Sequence, residues 1–313
     1  MTHRKLGRSG LSVSVVGLGC NNFGVRTGLE ASRSIINKAL DLGVTLFDTA
    51  DIYGDRGGSE SILGEVLGKR RNDVVLATKF GMAMDQDGKH QGASRSYIVT
   101  AVEASLKRLK TDWIDLYQLH TADEETPLEE TVRALDDLIH QGKVRYVGCS
   151  NLPAWQVSNS HWIAKSLGLN GFVSCQDEYS LLVRDVEKEL LPAIQAYGMG
   201  LLPYFPLASG LLTGKYERQK MPKGARLTTT PRLADRYIND KSWGIVEALQ
   251  PFAFANGRTV LELSLGWLAS KPQVSSVIAG ATSPEQVEQN VSALRRPLTK
   301  EEITGIDQIL TSA

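Results

Sequence analysis

The sequence predicts an α/β fold, a (β/α)8 TIM barrel with an N-terminal β-hairpin and long loops at the C-terminal face. Three observations lead there. A unit recurs in which a short apolar, β-branched run ends in polar residues and is followed by a segment of helical period that closes at a glycine. Eight strands of this kind can be placed, which admits either a closed barrel or an open doubly wound sheet. The open sheet wants a Gly-x-Gly-x-x-Gly turn after its first strand, and the glycines there, Gly17, Gly19 and Gly24, have the wrong spacing.

The elements follow in order. A hairpin opens the chain, with arms over 3–7 and 11–19 and Arg8-Ser9-Gly10 as its turn. Barrel strands are expected over 15–19, 46–49, 74–79, 114–120, 144–148, 173–176, 200–204 and 276–279. Helices fit over 30–42, 59–69, 95–109, 127–141, 153–167, 187–198, a pair within 238–271, 283–294, and a terminal stretch from 297 to 313. Gly43, Gly142, Gly168 and Gly198 stand where a left-handed C-terminal cap is wanted. Ser283-Pro284-Glu285-Gln286 reads as N-cap, Pro at the first helical position and capping-box partner. Two connections are long, 80–94 and 209–237. Both leave C-terminal strand ends, the face where barrel enzymes keep their sites. The chain reads as one domain over 1–313.

Composition narrows the function classes. Hydrophobic residues make up 42% and charged residues 22%, ordinary globular usage. Lys plus Arg equals Asp plus Glu at 35 each, so no global field draws the chain to nucleic acid or an acidic membrane. Cys20, Cys149 and Cys175 fit neither a disulfide framework nor a zinc site, and their odd number suits a reducing compartment. His3, His90, His140 and His161 lack metal-ligand spacing. Gly210 to Gly214-Lys215 is too short for a phosphate loop and continues with Tyr216 instead of Ser or Thr. Trp113, Trp162, Trp243 and Trp267 read as packing residues. Neither a signal-peptide core nor a membrane-length apolar run is present, so the expectation is a cytoplasmic protein with a small-molecule partner. Nothing specifies an oligomeric partner.

The polar residues that end strands carry the chemistry. Asp48 ends the second strand, Lys79 the third and His120 the fourth, with Tyr53 just after Asp48. One such residue is ordinarily a solvated loop group; four different types on successive strands point to a shared site. A free tyrosine has a pKa of about 10, and a nearby ammonium lowers it. Lys79 would do this for Tyr53, Asp48 would keep Lys79 charged, and His120 would hold a substrate oxygen. The result is a phenol able to protonate a carbonyl oxygen and to take the proton back.

Asp48-Thr49-Ala50-Asp51-Ile52-Tyr53-Gly54, then Gly58-Ser59-Glu60 and Leu63-Gly64, with Thr78-Lys79 and Leu119-His120, resembles the signature of the aldo-keto reductase family along essentially the whole chain. The resemblance implies Tyr53 as general acid/base supported by Asp48, Lys79 and His120. It implies NADPH bound extended across the barrel mouth, without a dinucleotide fold. Ser150, Asn151 and Gln176 match the holders of the nicotinamide carboxamide, and Tyr204 the residue that stacks on the ring. Gly19, Cys20 and Asn21 fall on the cofactor path. The run Phe205, Pro206, Leu207, Ala208, Ser209 to Lys215 looks like the loop around the pyrophosphate. Gly280, Thr282, Gln286, Gln289 and Asn290 match the adenosine end, where a helix N-terminus suits a phosphate. There the chain departs from the family: Gln286 and Gln289 stand where many members have arginine and glutamate, and Glu285 adds an acid. Losing an arginine fork weakens the preference for the 2′-phosphate, so NADH is admitted beside NADPH, and Arg226 is the residue that could compensate. Asn22, Phe23, Phe80, Tyr53 and His120, with loop 80–94, are the candidate substrate wall. The alternative is a nucleotide-sensing regulatory subunit resembling the β subunits of potassium channels. His120 and a start close to the hairpin favour the reductase.

Overall fold

A computed structural model describes residues 1–312. Strands β1 (His3–Lys5) and β2 (Ser12–Ser14) pair antiparallel as the expected hairpin. The barrel strands are β3 (Val16–Gly19), β4 (Leu46–Asp48), β5 (Val75–Phe80), β6 (Ile114–Leu119), β7 (Val144–Ser150), β8 (Ser174–Gln176), β9 (Gly200–Leu201) and β10 (Val277–Gly280). All are parallel, in the order β10-β3-β4-β5-β6-β7-β8-β9. Backbone bonds close the ring between its two ends: Leu201 N–H donates to the Gln273 carbonyl at 2.7 Å, Ser275 N–H to Leu201 at 3.0 Å and Ile278 N–H to Pro203 at 3.0 Å. The fold is a (β/α)8 barrel.

Around it lie α1 (Leu29–Asp41), α2 (Tyr53–Leu67), α3 (Arg95–Leu109), α4 (Leu128–His140), α5 (Ala154–Leu167), α6 (Leu190–Tyr197), α7 (Arg226–Thr229), α8 (Pro231–Tyr237), α9 (Asp240–Ala255), α10 (Val260–Ser270), α11 (Pro284–Ala293) and α12 (Lys300–Ser312). The last residue of the expected terminal helix lies outside the described residues.

Two cores result from the two faces of each strand. The inner one joins Leu46, Ala77, Leu116, Leu202 and Ile278 to Leu6 and Val13 of the hairpin. The hairpin therefore plugs the N-terminal end of the barrel. Arg4 fastens it there, donating to the carbonyls of Val274 at 2.8 Å and Ala269 at 2.7 Å. The outer core lies between strands and helices. The C-terminal end is left open to a ligand.

The departures from expectation have local causes. The seventh strand stops at Leu201, two residues before Pro203, which has no N–H for a ladder. β7 runs on to Ser150 because Cys149 and Ser150 pair with Cys175 and Gln176. The sixth helix starts at Leu190, after a 3-10 turn over Asp185–Glu187. The stretch 209–237 is no bare loop, for it holds α7 and α8, the latter opened by Pro231 at its first position. All four helix-stopping glycines have left-handed φ. The capping box of α11 is not formed: Ser283 makes no cap bond, and Gln286 Oε1 accepts from the Thr282 N–H instead, at 2.8 Å. Trp162 is no packing residue, being 54% exposed on α5. No helix among the described residues is long and apolar enough to cross a membrane.

Candidate active site

The strands deliver polar side chains to one mouth. β4 ends at Asp48, β5 carries Lys79 next to its end, and His120 follows β6. β7 ends at Ser150, β8 at Gln176, and β10 at Gly280. Side chains alternate along a strand, so Leu46 and Ala77 fill the inner core while Asp48 and Lys79, two residues on, rise from it toward the mouth.

Beneath the mouth is a buried ion pair. Lys79 Nζ donates to Asp48 Oδ2 at 2.8 Å and to the Thr49 carbonyl at 2.8 Å. The other carboxylate oxygen accepts from Gln176 Nε2 at 2.8 Å and from Gln118 Nε2 at 3.4 Å. Burial pulls the Lys79 pKa down, but Asp48 and Tyr53 outweigh it, and the net shift is upward. Lys79 therefore stays an ammonium. It lies 5.0 Å from the centroid of the Tyr53 ring. Tyr53 meets His120 edge-on, with centroids 5.7 Å apart and planes at 81°.

The pKa of Tyr53 moves against expectation. Burial pushes it up more strongly than Lys79 pulls it down. The phenol is thus protonated near neutrality. His120 is held down to about 3, by burial first and Lys79 second, so its imidazole is neutral. Its Nδ1 is buried without a hydrogen-bond partner.

Above these groups opens a cavity of about 800 Å³. Asp48, Tyr53 and His120 line it, and Lys79, fully buried, lies against the Tyr53 ring. The residues after the first barrel strand, Gly19, Cys20, Asn21 and Asn22, line one side. Ser150, Asn151, Gln176 and Tyr204 line another and are bonded to one another. Ser150 donates to the Gln176 carbonyl at 2.7 Å, Tyr204 donates to Asn151 Oδ1 at 2.8 Å, and Asn151 Nδ2 donates to Ser150 at 3.0 Å. Phe205, Pro206, Leu207, Ser209, Lys215 and Arg226 form the far wall. Gly280, Thr282, Gln286, Gln289 and Asn290 line the remaining end.

Three expected residues are not on this wall. Phe80 directly follows Lys79, so strand alternation turns it outward, where it stacks on Tyr117 with centroids 4.7 Å apart. Phe23 and Ala208 are both 0% exposed and belong to the outer core. Of loop 80–94, Met82 reaches the cavity. Asn22 does line it, but its amide is engaged with the Ala281 carbonyl at 3.2 Å.

The sequence reading missed other residues. Gln118 is one; its placement two residues before His120 on one strand face was the signal. Arg26 and Arg232 are two more on the cavity wall. Both lie in segments leaving C-terminal strand ends, which was their signal. Gly148 makes room for Gln118, because a Cβ there would stand 2.6 Å from Ser174 Oγ and 3.3 Å from Gln118 Cγ.

The wall suits a large phosphorylated anion such as a dinucleotide. Ser209 Oγ is buried there without a partner. Among the described residues, Arg26, Lys215, Arg226 and Arg232 have no carboxylate within 4.0 Å, whereas in the same segment Arg218 holds two, Asp240 and Glu247, and Arg236 holds Glu178.

Comparison with known proteins agrees with this geometry. The sequence model of the aldo/keto reductase family matches residues 15–311. The chain is 39% identical to a probable voltage-gated potassium channel subunit beta of Oryza sativa subsp. japonica, over 100% of this chain and 97% of that protein. It is 34% identical to an L-glyceraldehyde 3-phosphate reductase of Escherichia coli O157:H7, over 98% of this chain and 92% of that protein. It is 37% identical to an uncharacterized oxidoreductase of Bacillus subtilis (strain 168), over 99% and 96% respectively.

Proposed function

The chain belongs to the aldo/keto reductase family, and on that premise we propose that it is an oxidoreductase that reduces small aldehydes or ketones to alcohols with NADPH, Tyr53 being the general acid. The observation that carries this is the stack at the barrel mouth: a buried Asp48–Lys79 pair at 2.8 Å under a tyrosine, with a neutral histidine at its edge.

When bound, the reduced nicotinamide supplies a hydride to the carbonyl carbon. Tyr53 supplies the proton to the carbonyl oxygen, and its raised pKa keeps that proton in place until it is needed. Lys79 stabilises the phenolate left behind, and Asp48 keeps Lys79 charged and aimed. Neutral His120 offers a ring N–H to the same oxygen and so orients the carbonyl. In the oxidative direction Tyr53 takes the proton back. Ser150, Asn151 and Gln176 are the groups suited to a carboxamide, and the unpaired cations to phosphates. NADH is the second donor considered, because Gln286 is no cation. Balanced charge supports a small-molecule partner over nucleic acid or a membrane surface, and the three free cysteines support a cytoplasmic setting.

Tyr53→Phe tests the reading. Reduction of an aldehyde panel should fall at least about 100-fold, while NADPH titrated against tryptophan fluorescence binds as before. Near wild-type turnover would remove Tyr53 from the mechanism. The 39% identity to a channel β subunit favours a second reading, a nucleotide-binding regulatory subunit. Tight NADPH binding with no turnover of any panel carbonyl would select it.

A further inference from the structure

Two of the three free cysteines meet in the barrel wall. Cys149 is the penultimate residue of β7 and Cys175 the middle residue of β8, and the register of these parallel strands sets them directly opposite each other. Their sulfurs lie 3.5 Å apart. Adjacent strands run about 4.8 Å apart, inside the range of about 4.4–6.8 Å that the Cα atoms of a disulfide span. The thiol of Cys20, by contrast, lies against the Leu18 carbonyl at 3.5 Å. The hydrogen bond to Cys149 first, and burial second, raise the pKa of Cys175 well above that of a free thiol, so it holds its proton near neutrality.

The pair stands back to back with the site. Side chains alternate along a strand, so the two thiols point into the outer core while the residues that follow them, Ser150 and Gln176, line the cavity. Ser150 and Gln176 are the next and last pair of the same ladder. The Gln176 carbonyl accepts from the Ser150 hydroxyl at 2.7 Å and from the Asn151 N–H at 3.3 Å, and Gln176 Nε2 donates to Asp48 at 2.8 Å. A covalent bond between the sulfurs shortens their separation from 3.5 Å to about 2.05 Å. In a closely packed wall that movement turns the adjoining pair. The shift lands on the Ser150–Asn151–Gln176 wall and, through Gln176, on the carboxylate that holds Lys79.

We propose that Cys149 and Cys175 are an oxidation site, a dithiol whose disulfide weakens binding of the nicotinamide cofactor. The oxidant is a hydroperoxide, small and uncharged, because the two thiols are 1% and 0% exposed and are reached through local opening of the short β8 edge. One sulfur attacks a peroxide oxygen and gives up its proton; the O–O bond breaks, leaving a sulfenic acid and one water. The second sulfur then displaces the hydroxyl from the first, which forms the S–S bond and releases a second water. Two electrons pass from the sulfurs to the peroxide oxygens, and both thiol protons end in the waters. A bond closed against packed strands carries strain, and strained disulfides are the readily reduced ones, so a dithiol reductant restores the pair. The effect on the cofactor rests on the nucleotide-dependent reading above; the formation of the bond does not.

The test uses the full chain. Reduced wild type is treated with hydrogen peroxide, the remaining thiols are alkylated in denaturant, and the peptides are mapped without reduction. The map should show the Cys149 and Cys175 peptides linked, with Cys20 outside the link. Affinity for NADPH, read by fluorescence titration, should fall about tenfold and return with dithiothreitol. Cys149→Ala and Cys175→Ala should each bind NADPH as reduced wild type does and keep that affinity after peroxide. The map and its reversal are read on wild type, so they decide the matter even where a variant fails to fold. Peroxide that modifies Cys20 or methionine without linking Cys149 to Cys175 overturns the proposal. So does a linked pair with unchanged affinity for NADPH and NADH, or a loss of affinity as large in the alanine variants as in wild type. The underlying reading fails separately: reduced wild type that binds neither dinucleotide loses the reductase, and a linked pair then stands as an oxidation site alone.

Discussion

Asp51 lies two residues before Tyr53 and is 1% exposed, and neither carboxylate oxygen has a hydrogen-bond partner. Burial first, and Glu60 beside it, push its pKa from 3.8 up to about 7. An acid with a raised folded-state pKa holds its proton in the folded chain and loses it in the unfolded one, so stability falls as pH rises through that window. His120 has the opposite slope: its depressed pKa means that stability is lost as pH falls from 6.5 toward about 3. Comparing Asp51→Asn with wild type cancels the histidine. The asparagine variant should gain on wild type between pH 5 and pH 8, on the order of 1 kcal/mol, read from thermal unfolding at several pH values. A difference that does not change with pH would show that no buried charge is relieved. At this scale the sequence revealed residue type and strand-end position, and so Asp48, Lys79 and His120. It could not reveal the sign of the Tyr53 shift, because burial and the Lys79 charge oppose each other and only their geometry sets the balance.

Elements decide which side of a strand faces the site. Phe80 turns away from the site and Gln118 turns toward Asp48 for the same reason, the two-residue alternation that Lys79 and His120 fix. That alternation was legible; its application required knowing which members of each strand point inward. β7 and β8 approach so closely that Gly148 faces Ser174 with no room for a methyl group. Gly148→Ala should cost about 1–3 kcal/mol in urea unfolding. It should also lower turnover, since Gln118, which reaches Asp48 at 3.4 Å, must move. Wild-type stability in this variant would refute the packing account. The segment 209–237 read as a loop because it is rich in Gly, Thr, Pro and Arg, yet α8 forms there. Its end is held by Arg236 and Tyr237, both bonded to Glu178 beyond β8, a partner some 60 residues away in sequence that no local pattern announces.

For the whole molecule, the hairpin and the site occupy opposite ends of one barrel. Leu6 is 0% exposed and completes the inner core at the plugged end. Leu6→Ala should cost about 2–5 kcal/mol of global stability while leaving kcat at moderate temperature near that of wild type, because Asp48, Lys79 and His120 stand at the far end. Urea unfolding paired with steady-state assays checks this. A large loss of kcat in folded variant would mean that the plug positions the site through the strands.

The sequence by itself determined the barrel, its strand order, the helices outside 209–237 and the strand-end positions of Asp48, Lys79 and His120, because strand period, glycine stops and strand-end polarity are local signals. The tertiary structure alone decided the rest. It set the outward turn of Phe80 and Phe23, the net rise in the Tyr53 pKa, the help of Gln118 and the meeting of Cys149 with Cys175. Each of these depends on groups distant in the chain that become neighbours when the ring closes, and burial and charge act through space, not along the sequence.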